Sequence, residues 1–383
     1  MKIVADENIP FVREAFSALG EVTAMPGRAM TADALAGAEV LLVRSITKVN
    51  AELLDGSGIR FVGTATIGED HVDKAYLARH GIGFASAPGC NANSVGQYIV
   101  SVLLTLAESF EFSLEGLRLG IVGVGNVGSR VFGKATALGM KCVLNDPPLA
   151  AATKGDVYRP IEEIHDCDIV TLHVPLTQEG PHATHHLAGE RFLWNMRPGS
   201  ILINSSRGPV VDEAALRGAL ESGHIRACVM DVWEGEPAID AAMLERAFLG
   251  TPHIAGYSFD GKVNGTRQVY ESACRFLDMR PQWDPSPLLP PPECPEVIVD
   301  GESADPFDAL RAAVYAVYDV RKDDQAMRAL LDADESERPG LFDQLRKEYP
   351  RRREFFNTKA RIKPENEELR TRLAGIGFNF EEE

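Results

Sequence analysis

Short apolar runs alternate with helical patterns along most of the chain. "KIVADE", "VLLVRS", "RFVGTAT" and "GIGFASA" read as buried strands, and "PFVREAFSALG" and "HVDKAYLARHG" as the helices between them. Strands with so little polar interruption need cover on both faces, so this rhythm predicts a parallel sheet between helical layers. Residues 1–93 form one such set, ending in the turn "SAPGCNANS". "SVGQYIVSVLLTLAESFEF" then reads as one long helix crossing to a second set. There "RLGIVG", "KCVLND", "DIVTLHV", "SILINSS" and "ACVMDVW" are strands, closing near "TPHIAGYS". The helical stretch "DGKVNGTRQVYESACRFL" returns to the first set. The predicted fold is therefore α/β, with two doubly wound parallel-sheet domains.

A break follows. Seven prolines fall between positions 281 and 295, a density that excludes helix interior and central strand. This stretch reads as a linker or extended arm. Beyond it, "DPFDALRAAVYAVYDVRKDDQAMRALL" and "GLFDQLRKEYPRRREFF" read as helices of a third, smaller unit. At 383 residues, two or three domains are expected. The formal net charge of −17 argues against nucleic acid as a partner. It also means that an anionic ligand needs local arginines to reverse the field. The six cysteines are scattered, without a C-x-x-C pair, which suits a reducing cytoplasm. No secretion signal or membrane span is visible, so the expectation is a cytoplasmic protein with no membrane partner.

"GIVGVGNVGSR" holds Gly123, Gly125 and Gly128 in G-x-G-x-x-G spacing. Alone the pattern is weak. Here it follows an apolar strand, opens a helix, and precedes a second strand ending at Asp146, which is the context a dinucleotide site demands. Gly123 permits the tight turn, Gly125 lets backbone approach a pyrophosphate, and Gly128 allows close helix packing. The helix N-terminus offers free N–H groups to the phosphates. Asp146 accepts hydrogen bonds from a ribose and repels a 2′-phosphate, so the expected cofactor is NAD rather than NADP.

Arg207 directly follows the strand "SILINSS". Carboxyl ends of parallel strands line the ligand crevice, where a guanidinium can grip a carboxylate with two bonds. Asp231 ends "ACVMD", and Glu234 and Glu236 follow it. His253 comes seventeen residues after Glu236, in "TPHIAG". A neutral imidazole can take a proton from an alcohol while a carboxylate on its other nitrogen fixes the tautomer. Glu236 is the candidate carboxylate. An isolated histidine reads as structural, and an arginine in a turn as a surface residue. The combination with a dinucleotide fold favours Arg207, Glu236 and His253 as a catalytic set. His182, His185 and His186 in "PHATHHL" lack companion ligands at metal spacing, so no metal is expected. The run "RRR" at 351–353 reads as a solvated or dimer-facing surface.

The blocks "GVGNVG", "DIVTLHVPLT", "INSSRGPVVDEAAL", "DVWEGEP" and "TPHIAGY" resemble the signatures of the D-isomer-specific 2-hydroxyacid dehydrogenases. The resemblance covers residues 1–280 and implies a split, flavodoxin-like substrate domain with a Rossmann NAD domain between its halves. Its catalytic set falls on Arg207, Glu236 and His253. "ADENIPF", "LLVRSIT", "FVGTATIGEDHVD", "SAPGCNANSVGQY" and the tail "FDQLRKEYPRRREF" are similar to one branch of that family. That branch acts on a phosphorylated 2-hydroxy acid and carries a small C-terminal α+β dimerisation domain. The implied domains are 1–95 with 256–280 (substrate), 96–255 (NAD) and 281–383 (homodimerisation). The implied substrate contacts are Ser45, Thr66 and Tyr257, and Arg44 is added as a donor to the phosphate. The implied NAD contacts are Asn126, Val127, Asp146, Val174, Ser206, Asp231 and Gly256, beside the three glycines. Val174 departs from relatives with threonine there, so contact at that position is backbone or apolar. Two alternatives stay open: a family member for another acid, such as 3-phosphoglycerate or glycerate, and an NAD-sensing binding protein with the same core.

Overall fold

The computed structural model describes residues 1–153 and 156–381. The chain forms two compact units, Met1–Ala92 with Tyr257–Pro291, and Asn93–Gly256 with Pro292–Glu383. It passes between them at 92/93, at 256/257 and at 291/292.

The first unit is built on β1 (Lys2–Asp6), β2 (Glu21–Met25), β3 (Val40–Val43), β4 (Phe61–Thr64) and β5 (Gly83–Ala85). They pair in parallel in the order β2-β1-β3-β4-β5, which is flavodoxin-like. Every residue of β3 and β4 is buried, which is why both read as unbroken apolar runs. The helix Phe259–Phe276 covers one face with Val269, Tyr270, Ala273 and Cys274, against Ile3, Ala5 and Phe61. Gly63 is required there, because a Cβ would collide with the Val269 side chain.

In the second unit the strands are β6 (Arg118–Val122), β7 (Lys141–Asn145), β8 (Ile169–Leu172), β9 (Ser200–Asn204), β10 (Ile225–Met230) and β11 (Leu249–Gly250). Their order is β11-β10-β9-β8-β6-β7, all parallel. The order reverses at β6, between β7 and β8, and open α/β sheets bind ligands at such a switch point. The two expected doubly wound sheets are both present.

The C-terminal segment departs from the residue-by-residue expectation. Residues 305–331 are not one helical stretch but two helices, Pro306–Val317 and Val320–Arg328. Asp319 divides them by accepting the Arg321 N–H (3.1 Å) as a new N-cap. The helix Arg338–Lys347 stops short of Pro350, and the chain from 351 runs extended into the turn Phe355–Asn357. β12 (Glu296–Asp300) and β13 (Lys359–Lys363) pair in parallel across a long stretch of chain, a contact that local periodicity does not carry. In the run "RRR" only Arg351 is exposed, while Arg352 and Arg353 are buried. The solvated-surface reading therefore fails for two of the three. Their burial depends on chain far away in sequence and was invisible locally.

Candidate active site

The dinucleotide turn follows β6. Gly123 has φ 85°, the left-handed region that favours glycine. A Cβ there would stand 2.8 Å from both the His173 carbonyl oxygen and Val174 Cγ1. A Cβ at Gly128 would collide with the Gly123 carbonyl oxygen, so the helix Asn126–Ala137 packs directly on the turn. At Gly125, by contrast, a Cβ would meet open space. No side chain caps the helix that starts after Gly125. Its first N–H groups, including those of Asn126 and Val127, are therefore available to an anion. Asp146 follows β7, and its oxygens accept the Val124 N–H (2.9 Å) and the Leu149 N–H (3.0 Å). A carboxylate has further lone pairs for ribose hydroxyls. This is a fit for a dinucleotide: open room at the glycine, free amides, and an acid one strand away.

Three adjacent strands deliver the candidate catalytic groups. Ser206 and Arg207 follow β9, Asp231 follows β10, and His253 follows β11. Asp231 N–H donates to Asn204 O (2.9 Å), and Thr251 N–H to Met230 O (2.9 Å), so the pairing continues past the strand ends. Two strand spacings, about 10 Å, separate the backbones of β9 and β11. Ser206 is buried with its hydroxyl on Asn204 Oδ1 (2.7 Å). Arg207 is half-buried, with Nη1 on Ser206 O (2.8 Å). A Cβ at Gly208 would collide with the Trp233 carbonyl and stand 2.7 Å from Glu234 N. The Arg207 turn is thus pressed against the loop that carries Glu236.

Glu236 and His253 meet as expected. Glu236 Oε2 lies 2.8 Å from His253 Nδ1, and Oε1 accepts the Trp233 N–H at 2.9 Å. Burial opposes ionisation of Glu236, but the His253 charge and hydrogen bond and the Trp233 N–H outweigh it. The carboxyl is held below its ordinary range. A carboxylate only accepts, so Nδ1 carries a proton, and in the neutral ring it is Nε2 that has the lone pair. Nε2 has no protein partner among the described residues, and the imidazole side chain is 32% exposed. His253 itself sits at φ 58°, a conformation a non-glycine residue keeps only when its surroundings hold it.

Asp231 provides that hold. It is 2% exposed. Oδ1 accepts from Thr251 Oγ1 (2.6 Å) and Ile254 N (2.8 Å), and Oδ2 from Ala255 N (3.1 Å). Burial pushes this carboxyl above its usual range, against the pull of His253 and of these donors. Its carboxylate is thus engaged with the histidine loop. Trp233 and Thr251 were missed by the sequence reading. Trp233 Nε1 donates to Thr251 O (2.9 Å), and Thr251 Oγ1 lies 3.0 Å from the Tyr98 hydroxyl. Their positions inside "DVWEGEP" and "TPHIAG" were the available signal. Among the three histidines set aside as metal decoys, His186 Nε2 lies 2.8 Å from Glu234 Oε1, a structural contact.

In the first unit, Arg44 and Ser45 follow β3, and Thr66 follows β4, its immediate neighbour. Ala65 N–H still donates to Val43 O (3.0 Å), so these residues emerge side by side. Thr66 Oγ1 lies 2.7 Å from Thr64 Oγ1. The Lys262 ammonium stands 4.2 Å over the Tyr257 ring.

A parallel sheet with this turn at its switch point, and an acid-backed histidine four strands along, is the construction of a dinucleotide-dependent dehydrogenase. Residues 105–255 match the family model "D-isomer specific 2-hydroxyacid dehydrogenase, NAD binding domain", and residues 288–377 match a domain of unknown function, DUF3410. An erythronate-4-phosphate dehydrogenase of Cronobacter sakazakii is 47% identical over 99% of this chain and 98% of its own length. One of Azotobacter vinelandii is 48% identical over 98% and 99%. Among solved structures, a protein of Thermus thermophilus superposes with TM-score 0.63 at 26% identity, over 73% of this chain and 98% of that one. The D-lactate dehydrogenase of Aquifex aeolicus, solved with NAD and lactic acid, gives 0.59 at 26%, over 73% and 96%. The chain belongs to the erythronate-4-phosphate dehydrogenase family, within the D-isomer-specific 2-hydroxyacid dehydrogenases.

Proposed function

We propose that the chain oxidises 4-phospho-D-erythronate at its C2 hydroxyl with NAD, yielding 2-oxo-3-hydroxy-4-phosphobutanoate, in the synthesis of pyridoxine 5′-phosphate. The observation that carries the chemistry is the 2.8 Å contact between Glu236 and His253 Nδ1, with Nε2 left to the substrate. His253 takes the hydroxyl proton on Nε2, and Glu236 stabilises the imidazolium that forms. Arg207 holds the substrate carboxylate and polarises the C2 oxygen. The free amides at the start of the helix Asn126–Ala137 take the pyrophosphate and Asp146 the ribose. Val174, Ser206, Asp231 and Gly256 complete the cofactor contacts. NAD, when bound, accepts the hydride that leaves C2.

Arg44 and Ser45 are assigned to the substrate phosphate, and Thr66 and Tyr257 to the rest of the acid. Their support is the family resemblance and their place at the carboxyl ends of neighbouring strands, or, for Tyr257, just ahead of the helix Phe259–Phe276. The proposal includes a cytoplasmic homodimer formed through residues 281–383, on the strength of the extra C-terminal domain shared with this branch. NADH fluorescence on mixing protein, NAD and 4-phospho-D-erythronate, with the keto product trapped, tests the reaction. A panel of other 2-hydroxy acids tests the specificity. His253→Asn is expected to abolish turnover while NAD still binds, and near-normal turnover in that variant refutes the assignment of the base.

A further inference from the structure

The loop Thr251–Ala255 is gripped at both ends by the C-terminal segment. On the near side, Asp324 Oδ1 accepts the Gly250 N–H (2.7 Å). Arg328 binds Asp324 Oδ2 (2.9 Å) and the Ala247 carbonyl (2.7 Å). On the far side, Arg352 Nη2 donates to the Ala255 carbonyl (2.9 Å) and to Ser94 Oγ (2.6 Å). The Ser94 hydroxyl donates to the same Ala255 carbonyl (2.8 Å). Arg352 is 8% exposed, and its guanidinium lies 3.9 Å from the centre of the Tyr318 ring. Its Nε and Nη1 have no hydrogen-bond partner among the described residues. Burying a cation with two donors unmet is costly. The stacked ring, the Ala255–Ser94 pair and the nearby charges of Asp323 and Glu354 are what the position offers in return.

Between these anchors sits His253 at φ 58°. Such a backbone is strained and persists only where the surroundings over-determine it. Asp231 holds the loop from beneath through Thr251, Ile254 and Ala255. The segment after 318 closes both ends.

We propose that Arg352 is a positioning residue: by fixing the Ala255 carbonyl it locks the histidine loop, so the C-terminal domain completes the catalytic base of its own chain. This rests on His253 being the base, as proposed above. Formation of a dimer does not require it, because every contact named is internal to one chain.

The test compares Arg352→Met with Arg352→Lys in the full-length protein. Met fills the same space without a donor, while Lys retains one. Arg352→Met is expected to lower kcat by about 10- to 100-fold, with the Kd for NAD unchanged within about twofold. Arg352→Lys is expected to recover part of the loss. Histidine-ring ¹⁵N NMR provides a readout that needs no substrate. The wild type is expected to show His253 protonated at Nδ1, and Arg352→Met a mixture of tautomers. A kcat and tautomer like wild type, or an equal loss of NAD affinity, overturns the proposal. Should Arg352→Met not fold, Ser94→Ala decides. A kcat several-fold lower with NAD binding intact supports the clamp, and a wild-type kcat overturns it. His253→Asn run in parallel separates the two readings, since turnover surviving there removes the base itself and not the clamp.

Discussion

Replacing Glu236 by glutamine changes one atom and probes the site most sharply. The carboxylate serves two donors at once, Trp233 N–H through Oε1 (2.9 Å) and His253 Nδ1 through Oε2 (2.8 Å). A glutamine has one carbonyl oxygen and cannot accept both. If the oxygen keeps the Trp233 N–H, the amide NH2 faces Nδ1. The ring then carries its proton on Nε2 and cannot act as base. If the oxygen turns to His253, the buried Trp233 N–H meets another donor, at a cost of about 1–3 kcal/mol. In both cases the negative charge beside the developing imidazolium is gone. At about 4 Å between charge centres and an effective dielectric of about 20, that charge is worth about 4 kcal/mol. The side chains are 20% and 32% exposed, so solvent trims this toward the value of a charge-assisted hydrogen bond, about 2 kcal/mol. The expected loss in kcat for Glu236→Gln is therefore about 30- to 1000-fold, with NAD affinity unchanged. Initial rates of NADH formation measure it, and a double-mutant cycle with His253→Asn checks the coupling. Glu236→Gln should cost nothing further once the ring is gone. A kcat within about threefold of wild type would refute the assigned role of the pair.

Two further outcomes follow from close packing and burial. Gly208→Ala drives a Cβ into the Trp233 carbonyl. It should cost about 1–3 kcal/mol by urea denaturation and about 100-fold in kcat through displacement of Arg207, and a fully active, fully stable variant would show that this approach does not position the arginine. Burial, with repulsion from Glu234, pushes the Glu213 carboxyl from 4.5 to about 7 although it accepts the Glu234 N–H. Its folded pKa lies above its unfolded one, so the folded state holds the extra proton between them, and stability falls as pH rises from 4.5 through about 7. Glu213→Gln keeps the acceptor and removes the ionisation. Denaturation at pH 5.5 and pH 8 should show the variant losing less stability than wild type, by up to about 2 kcal/mol, and parallel losses would exclude Glu213 as the source.

By itself the sequence determined the alternation of buried strands and helices, the dinucleotide turn and the residue types of the catalytic set. Strand burial and glycine spacing are local properties, written in adjacent residues. β3 and β4 are buried along their whole length, and Gly123 needs its positive φ wherever the turn sits. The pairing of Glu236 with His253 was legible only as a chemical possibility, because the order of β10 and β11 in the sheet decides whether those loops meet. Only the tertiary structure decided what the tail does. Arg352 lies in a run of charges that locally reads as solvated surface, yet its partners are Ala255 and Ser94, each about a hundred or more residues away. Burial of a charged group depends on what packs over it from distant chain. No periodicity in the neighbouring residues encodes that.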